Sequence, residues 1–225
     1  MHGHEMLETI HSLAPDAPAA AILRHAARYP ILDLARPELA EITPEGADSA
    51  ESMGRRLRGF ERLRIFHSPV KRCQQTAECI ARGAQRAGLQ VEHVEVETAL
   101  GVDYILDLTE AGRLSQIHGE HFVRLWVRGE VSPKVIRNTK YVVETKLACL
   151  TRRLREPVQG GRRLDLHISH DWNIMVLREH LLGVRHEEAG WLGFLDGLGL
   201  SLRSEALHVA YRQHSRRQTL PWPLE

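Results

Sequence analysis

Short apolar runs alternate along this chain with longer amphipathic stretches. Ala19-Ala20-Ala21-Ile22-Leu23 is apolar at every position, the pattern of a strand covered on both faces, and it opens onto Arg24. Leu63-Arg64-Ile65-Phe66 and Leu164-Asp165-Leu166-His167-Ile168 are of similar length and predict two further strands. They run into His67-Ser68-Pro69 and Ser169-His170-Asp171. Residues 91–96 alternate less cleanly, with Val91, Val94 and Val96 apolar, and predict a fourth.

Helices fill the intervals. Thr43 is suited to cap a helix that has Pro44 at its first position and extends to about residue 60. A second is expected over 70–87, with Gly88 as its stop, and a third over 110–126, with Gly129 beyond it. Ser132-Pro133 predicts the start of another, reaching about residue 154, and residues 156–161 read as a loop. The helix 173–182 should stop at Gly183, and the glycine-bearing segment 191–211 suggests a final strand pair.

This order predicts an α/β fold of three layers, α/β/α, around a mostly parallel central sheet. Ligands of such sheets bind beyond the carboxyl ends of the strands. Three strand ends carry polar groups there: Arg24-His25, His67-Ser68 and Ser169-His170-Asp171. Taken singly, each has an ordinary reading, such as a cap, a first-turn acid or a solvated helix charge. Their convergence is what points to a site.

Composition narrows the choice. The chain has 225 residues, 43% hydrophobic and 26% charged, which suits one domain over residues 1–225 with a variable insertion at about 100–131. A net charge of +1 confines any basic site to a local patch. Arg152-Arg153-Leu154-Arg155, Arg162-Arg163 and Arg216-Arg217 are balanced by acids and lack interleaved aromatics, so no nucleic-acid partner is expected. No apolar run approaches the roughly 20 residues of a membrane helix, and residues 1–5 lack a secretory pattern. With only Cys73, Cys79 and Cys149 as thiols, these features predict a cytoplasmic chain without a membrane partner. The histidines are scattered; His2 with His4, or His208 with His214, offers at most a stray metal site, so neither metal nor cofactor is expected. A homodimer is allowed but not required.

A histidine flanked by arginines at a buried strand end makes chemical sense if the site receives a dianion. His25 would attack phosphorus, giving a phosphohistidine that water then hydrolyses. Arg24, Arg28 and Arg72 would clamp the equatorial oxygens, with His170 as a further donor. The leaving alkoxide needs a proton, and Asp171, beside His170, is the first candidate. Trp172, next to the site, is a candidate ligand contact.

Arg24-His25-Ala26-Ala27-Arg28 resembles the R-H-G-x-R signature of the histidine phosphatase superfamily, which has the phosphoglycerate-mutase-like fold. The segments beginning His67-Ser68-Pro69-Val70-Lys71-Arg72 and Ile168-Ser169-His170 are similar to two later signatures of that family, and Thr43-Pro44-Glu45-Gly46 to its first helix start. The resemblance implies a metal-independent phosphomonoesterase acting on a small phosphate ester. Phosphomutases and non-catalytic phospho-ligand domains of the same fold are the alternatives. It implies His25 as the phosphorylated residue, with Arg24, Arg28, Arg72 and His170 around the phosphate. Its branches differ in the proton donor. Arg28-Tyr29-Pro30 and His170-Asp171-Trp172-Asn173 look like the branch that uses the Asp of an H-D pair, which favours Asp171. Asp103 stands near where the mutase-like branch places its acid and is the second candidate. Ala26 replaces the usual glycine, which puts full activity in question. His67 replaces a serine; it is expected either to line the leaving-group side or to cap its strand.

Overall fold

The computed structural model describes residues 3–13, 17–33, 36–158, 160–203 and 205–219. His2 lies outside them. The elements are α1 (His4–His11), β1 (Ala19–Arg24), α2 (Pro44–Arg56), β2 (Arg62–His67), α3 (Lys71–Arg86), β3 (Gln90–Val96), α4 (Leu108–His118), α5 (His121–Val127), α6 (Thr139–Arg155), β4 (Arg163–Ser169), α7 (Asp171–Leu182), α8 (His186–Ala189), β5 (Gly197–Arg203), β6 (Ala206–Tyr211) and β7 (His214–Thr219).

One sheet carries all these strands in the order β3-β2-β4-β1-β5-β6-β7. Its core, β3-β2-β4-β1, is parallel, and β5, β6 and β7 extend it antiparallel. The side-chain period of two divides β1 between two cores. Ala19, Ala21 and Leu23 join a cluster with residues of α1, α2 and α3, while Ala20 and Ile22 join residues of α5, α6 and α7. Helices therefore cover both faces, as the three-layer reading requires.

Close approach fixes the α1–α3 layer. A Cβ on Gly54 would sit 2.1 Å from the Ile80 carbonyl, and one on Gly83 would sit 2.0 Å from that of Glu51. Only glycine at both positions lets α2 and α3 cross this tightly. The crossing seats the first turn of α3, which carries Arg72, against the end of β1.

Several elements depart from the sequence expectation. The helix after Thr43 ends at Arg56, not near residue 60, because Leu57 turns extended and, with Phe60, is buried. The single helix expected over 110–126 is two, broken at Gly119, whose φ of 55° and ψ of −136° no helix accommodates. α5 buries Phe122, Val123 and Trp126, whereas α4 buries only Ala111. Ser132 caps a turn rather than a helix. Ile136 pairs with Ile105 as an isolated bridge, which holds the chain extended until Asn138 caps α6 through the Tyr141 amide at 2.9 Å. The expected strand pair within 191–211 is present as β5 and β6, and β7 adds a third strand after it; β7 is polar and lies on the sheet edge, so no apolar alternation marks it. Helix α1, not expected, is held by buried Met6, Leu7 and Ile10.

Among the described residues no helix is long and apolar enough to cross a membrane, and no three His, Cys, Asp or Glu side chains are grouped to hold a metal ion.

Candidate active site

The three polar strand ends meet. β1 lies beside β4 with Arg24 opposite Ser169, and β4 lies beside β2 with Ile168 opposite His67. Residues following these strands therefore converge at one sheet edge. The His25 amide donates to the Ser169 carbonyl at 3.1 Å, and the Ser68 amide to that of Ile168 at 3.0 Å, so the strand register sets the site's spacing.

His25 is 3% exposed. Its Nδ1 lies 2.8 Å from the Ala26 carbonyl, which can only accept, so Nδ1 carries the proton. Nε2 is left with its lone pair, and Arg72 Nε donates to it at 3.1 Å. Burial, then the charges of Arg72, Arg24 and Arg28, hold the His25 imidazole well below the usual histidine range, so it is neutral. Neutral, with Nε2 unprotonated, is the nucleophilic form.

His170 is the second imidazole. Its ring centroid lies 5.8 Å from that of His25. Arg72 Nη2 approaches His170 Nδ1 at 3.4 Å, and Nε2 lies 2.9 Å from Ser68 Oγ. An arginine only donates, so Nδ1 accepts and Nε2 donates to the serine. Burial, then Arg72 and His25, holds this ring neutral too.

Arg24 is fixed on three sides. Nη1 donates to the Leu192 carbonyl at 2.6 Å, Nη2 pairs with Asp171 Oδ2 at 2.9 Å, and the guanidinium lies 4.2 Å from the Phe194 ring centroid. Arg72 also donates to the Pro37 carbonyl at 2.8 Å. Arg28 donates to the Tyr29 carbonyl at 2.8 Å. Burial first, then the neighbouring charges of Arg72 and Arg24, shifts the Arg28 guanidinium down, against the opposing charge of Asp171. Such a cluster is preorganised for an anion.

Asp171 accepts from Trp191 Nε1 at 3.1 Å and from the Trp172 amide at 3.0 Å, besides its pair with Arg24. It lines a cleft of about 420 Å³ together with Arg24, His25, Arg28, Arg72 and His170. Trp172 lines the same cleft and packs against Phe122 at 5.0 Å between ring centroids. Asp103 is not among the lining residues. It accepts from the Tyr141 hydroxyl at 2.7 Å and lies 3.7 Å from buried Lys146 Nζ, whereas its neighbours Val102 and Tyr104 do line the cleft. His67 does not line it either: it is buried and bonds the Ser68 carbonyl at 2.9 Å, so it finishes its strand.

Ala26 is fully buried in the core beneath α2 and is absent from the residues with positive φ, so its backbone suits any L-residue. Its amide donates to Thr76 Oγ1 at 3.0 Å, and that hydroxyl donates to the Arg72 carbonyl at 2.7 Å. Thr76 thus ties the loop of His25 to the helix bearing Arg72, a link not visible in the sequence although Thr76 falls within the signature segment that begins at His67. Trp191 is likewise not marked by the sequence, and Ser68 is marked there only as part of a polar strand end, without its bond to His170. Cys73 lies 3.8 Å from His170 Nε2, but burial pushes its thiol up to about 12, so it is no thiolate nucleophile.

No curated protein matches the chain by sequence. Its fold is similar to a mycobacterial glucosyl-3-phosphoglycerate phosphatase, at 19% identity and a TM-score of 0.55 over 90% of this chain and 96% of that one. A second structure of that phosphatase contains inorganic phosphate and gives a TM-score of 0.54 at 19% identity, over 92% of this chain and 97% of that one. A phosphoglycerate mutase from Bacillus anthracis is similar at 13% identity and a TM-score of 0.58, over 92% and 94% of the two chains. The profile of the histidine phosphatase superfamily (branch 1) matches residues 22–194, which covers both imidazoles and all three arginines. With that match set beside the neutral, arginine-ringed His25, the chain belongs to the histidine phosphatase superfamily, branch 1.

Proposed function

We propose that the protein is a metal-independent phosphomonoesterase that hydrolyses a small phosphate ester through a phosphohistidine on His25. The observation that carries this reading is the His25 tautomer: Nδ1 is committed to the Ala26 carbonyl, and Nε2 is unprotonated beside Arg72. In the proposed first step Nε2 forms a bond to phosphorus while the ester P–O bond breaks, and the leaving oxygen takes the proton that Asp171, paired with Arg24 in the free site, accepts from the bound phosphate monoanion. In the second step water attacks the phosphohistidine, Asp171 recovers a proton, and phosphate leaves. Arg24, Arg28 and Arg72 hold the transferring group's oxygens throughout, and His170, whose one N–H donates to Ser68, joins them only once the bound dianion draws a proton onto its Nδ1.

The match to branch 1 overturns the resemblance of Arg28-Tyr29-Pro30 and His170-Asp171 to the H-D branch, so the preference for Asp171 as donor rests on the cleft alone, which Asp171 lines and Asp103 does not. Family membership and the phosphate-bound relative support the phosphate end of the reading. Ala26 supports retained turnover, since its backbone is unstrained and its methyl group faces the core.

The test is phosphate release from p-nitrophenyl phosphate and β-glycerol phosphate with a chelator present. Both should be hydrolysed; activity lost with the chelator and restored by a divalent metal contradicts the reading. Asp171→Asn should slow β-glycerol phosphate far more than p-nitrophenyl phosphate, whose leaving group needs little protonation. The same pattern in Asp103→Asn alone would move the donor there.

A further inference from the structure

Every charged residue that lines the cleft, namely Arg24, Arg28, Arg72 and Asp171, clusters with the two imidazoles at one end. The rest of the wall is neutral. It is built from Val102, Ile105, Leu108, Tyr104, Trp172 and Trp191, with Ser115 and Gln116 as uncharged polar positions farther along α4. Leu108 is 39% exposed although it opens α4, where a polar residue would cost nothing in packing.

The charges carried by this segment are satisfied elsewhere. Arg113 pairs with Glu110 at 2.7 Å, and Asp107 caps α4 through the Glu110 amide at 2.9 Å. Arg124 is locked between Glu179 at 2.7 Å and Glu187 at 2.5 Å. None of these six residues lines the cleft. A second phosphate or a carboxylate on the substrate would find no cation beyond those that hold the first phosphate.

The apolar surface also continues outward. Ile31 belongs both to this cleft and to a neighbouring groove of about 350 Å³. In that groove Leu32 is 93% exposed and Leu39 54%. The groove's Asp33 and Arg36 pair with each other at 3.3 Å, and its Glu41 pairs with Lys71.

We infer that the substrate is the phosphate monoester of an apolar alcohol or phenol, with one phosphate and no second anionic group, whose hydrocarbon part lies along α4 and toward Ile31. This rests on the phosphomonoesterase reading for turnover, but binding tests it separately. Burial of each methylene should tighten binding about fourfold. The experiment is calorimetric titration of the full chain with n-alkylphosphonates from methyl to octyl, beside the kcat/KM of the matching alkyl phosphates and of 3-phosphoglycerate.

The expected result is a Kd that falls steadily with chain length, and a kcat/KM for hexyl phosphate well above that for 3-phosphoglycerate. Leu108→Asp, placed at an exposed helix start where an acid is tolerated, should flatten the chain-length trend. A Kd independent of chain length overturns the inference, as does a preference for 3-phosphoglycerate. If the phosphonates show the trend but no ester is hydrolysed, the phosphomonoesterase reading fails and the apolar cleft stands.

Discussion

The two ends of the cleft are built in opposite ways. The phosphate end hangs from the ends of β1, β2 and β4 and the first turn of α3, and its side chains are as buried as core residues: His25 is 3% exposed, His170 4% and Arg72 8%. Register bonds between neighbouring strands fix each backbone there. The far end rests on α4 and the irregular stretch before it, and α4 anchors itself to the core with Ala111. Chemistry is held by the sheet, where a small displacement would misalign the attack. On the proposed reading, selectivity rests on a helix that buries only Ala111.

Removing a cation from the buried end gives the largest effect that can break this comparison. Arg72→Ala loses the donor to His25 Nε2 and the approach to His170. A loss of about 10²–10³-fold in kcat on p-nitrophenyl phosphate is expected. A loss below about tenfold would mean that the buried end is not where phosphoryl transfer occurs.

Acid should expose the same burial through stability. Burial is the first cause that lowers His25, His170 and His167, the last to about 4, from an ordinary 6.5. The unfolded chain therefore binds protons that the folded chain refuses, and stability rises with pH across that window. Their contribution is fully present above pH 6.5 and declines as pH falls toward about 4. Glu187, held at about 2 first by its bond to Arg124, loses its own contribution at lower pH, between 4.5 and about 2. Urea midpoints should therefore already fall between pH 6.5 and 4.5; a midpoint that holds steady there and drops only below 4.5 would mean that these rings are charged in the folded state.

Ala26→Gly carries the smallest expected change. Because Ala26 has an ordinary φ and a core-facing methyl group, restoring glycine should cost about 1 kcal/mol of stability and alter kcat/KM by less than about twofold. A large gain in activity would show that the methyl group restricts the site.

Legibility in the sequence follows the same division. The strands that carry the phosphate end are short, mostly apolar and sharply terminated, so β1, β2, β4 and their polar ends are readable directly, and the family signatures follow them. The far end offered no such period. Gly119 and the Ile105–Ile136 bridge break the expected helices, and Val102, Tyr104, Leu106 and Leu108 alternate as a strand would where the chain forms turns and a helix start. Trp191, donor to Asp171, lies 20 residues beyond it in a loop, where only the tertiary fold relates them. Thr76 sat within a readable signature, yet its role needed the 3.0 Å contact with the Ala26 amide to become visible. Polar β7 was hidden because an edge strand pairs through its backbone and needs no apolar face.

The most direct test of the central claim is to trap the phosphoenzyme. The wild-type chain, mixed with p-nitrophenyl phosphate, quenched in alkali to preserve phosphohistidine and digested, should carry a phosphoryl group on His25 by mass spectrometry, formed as fast as p-nitrophenol is released in the first turnover. His25→Asn should show neither adduct nor turnover. A phosphoryl group on another residue, or turnover that persists in His25→Asn, would contradict the assignment of His25 as nucleophile.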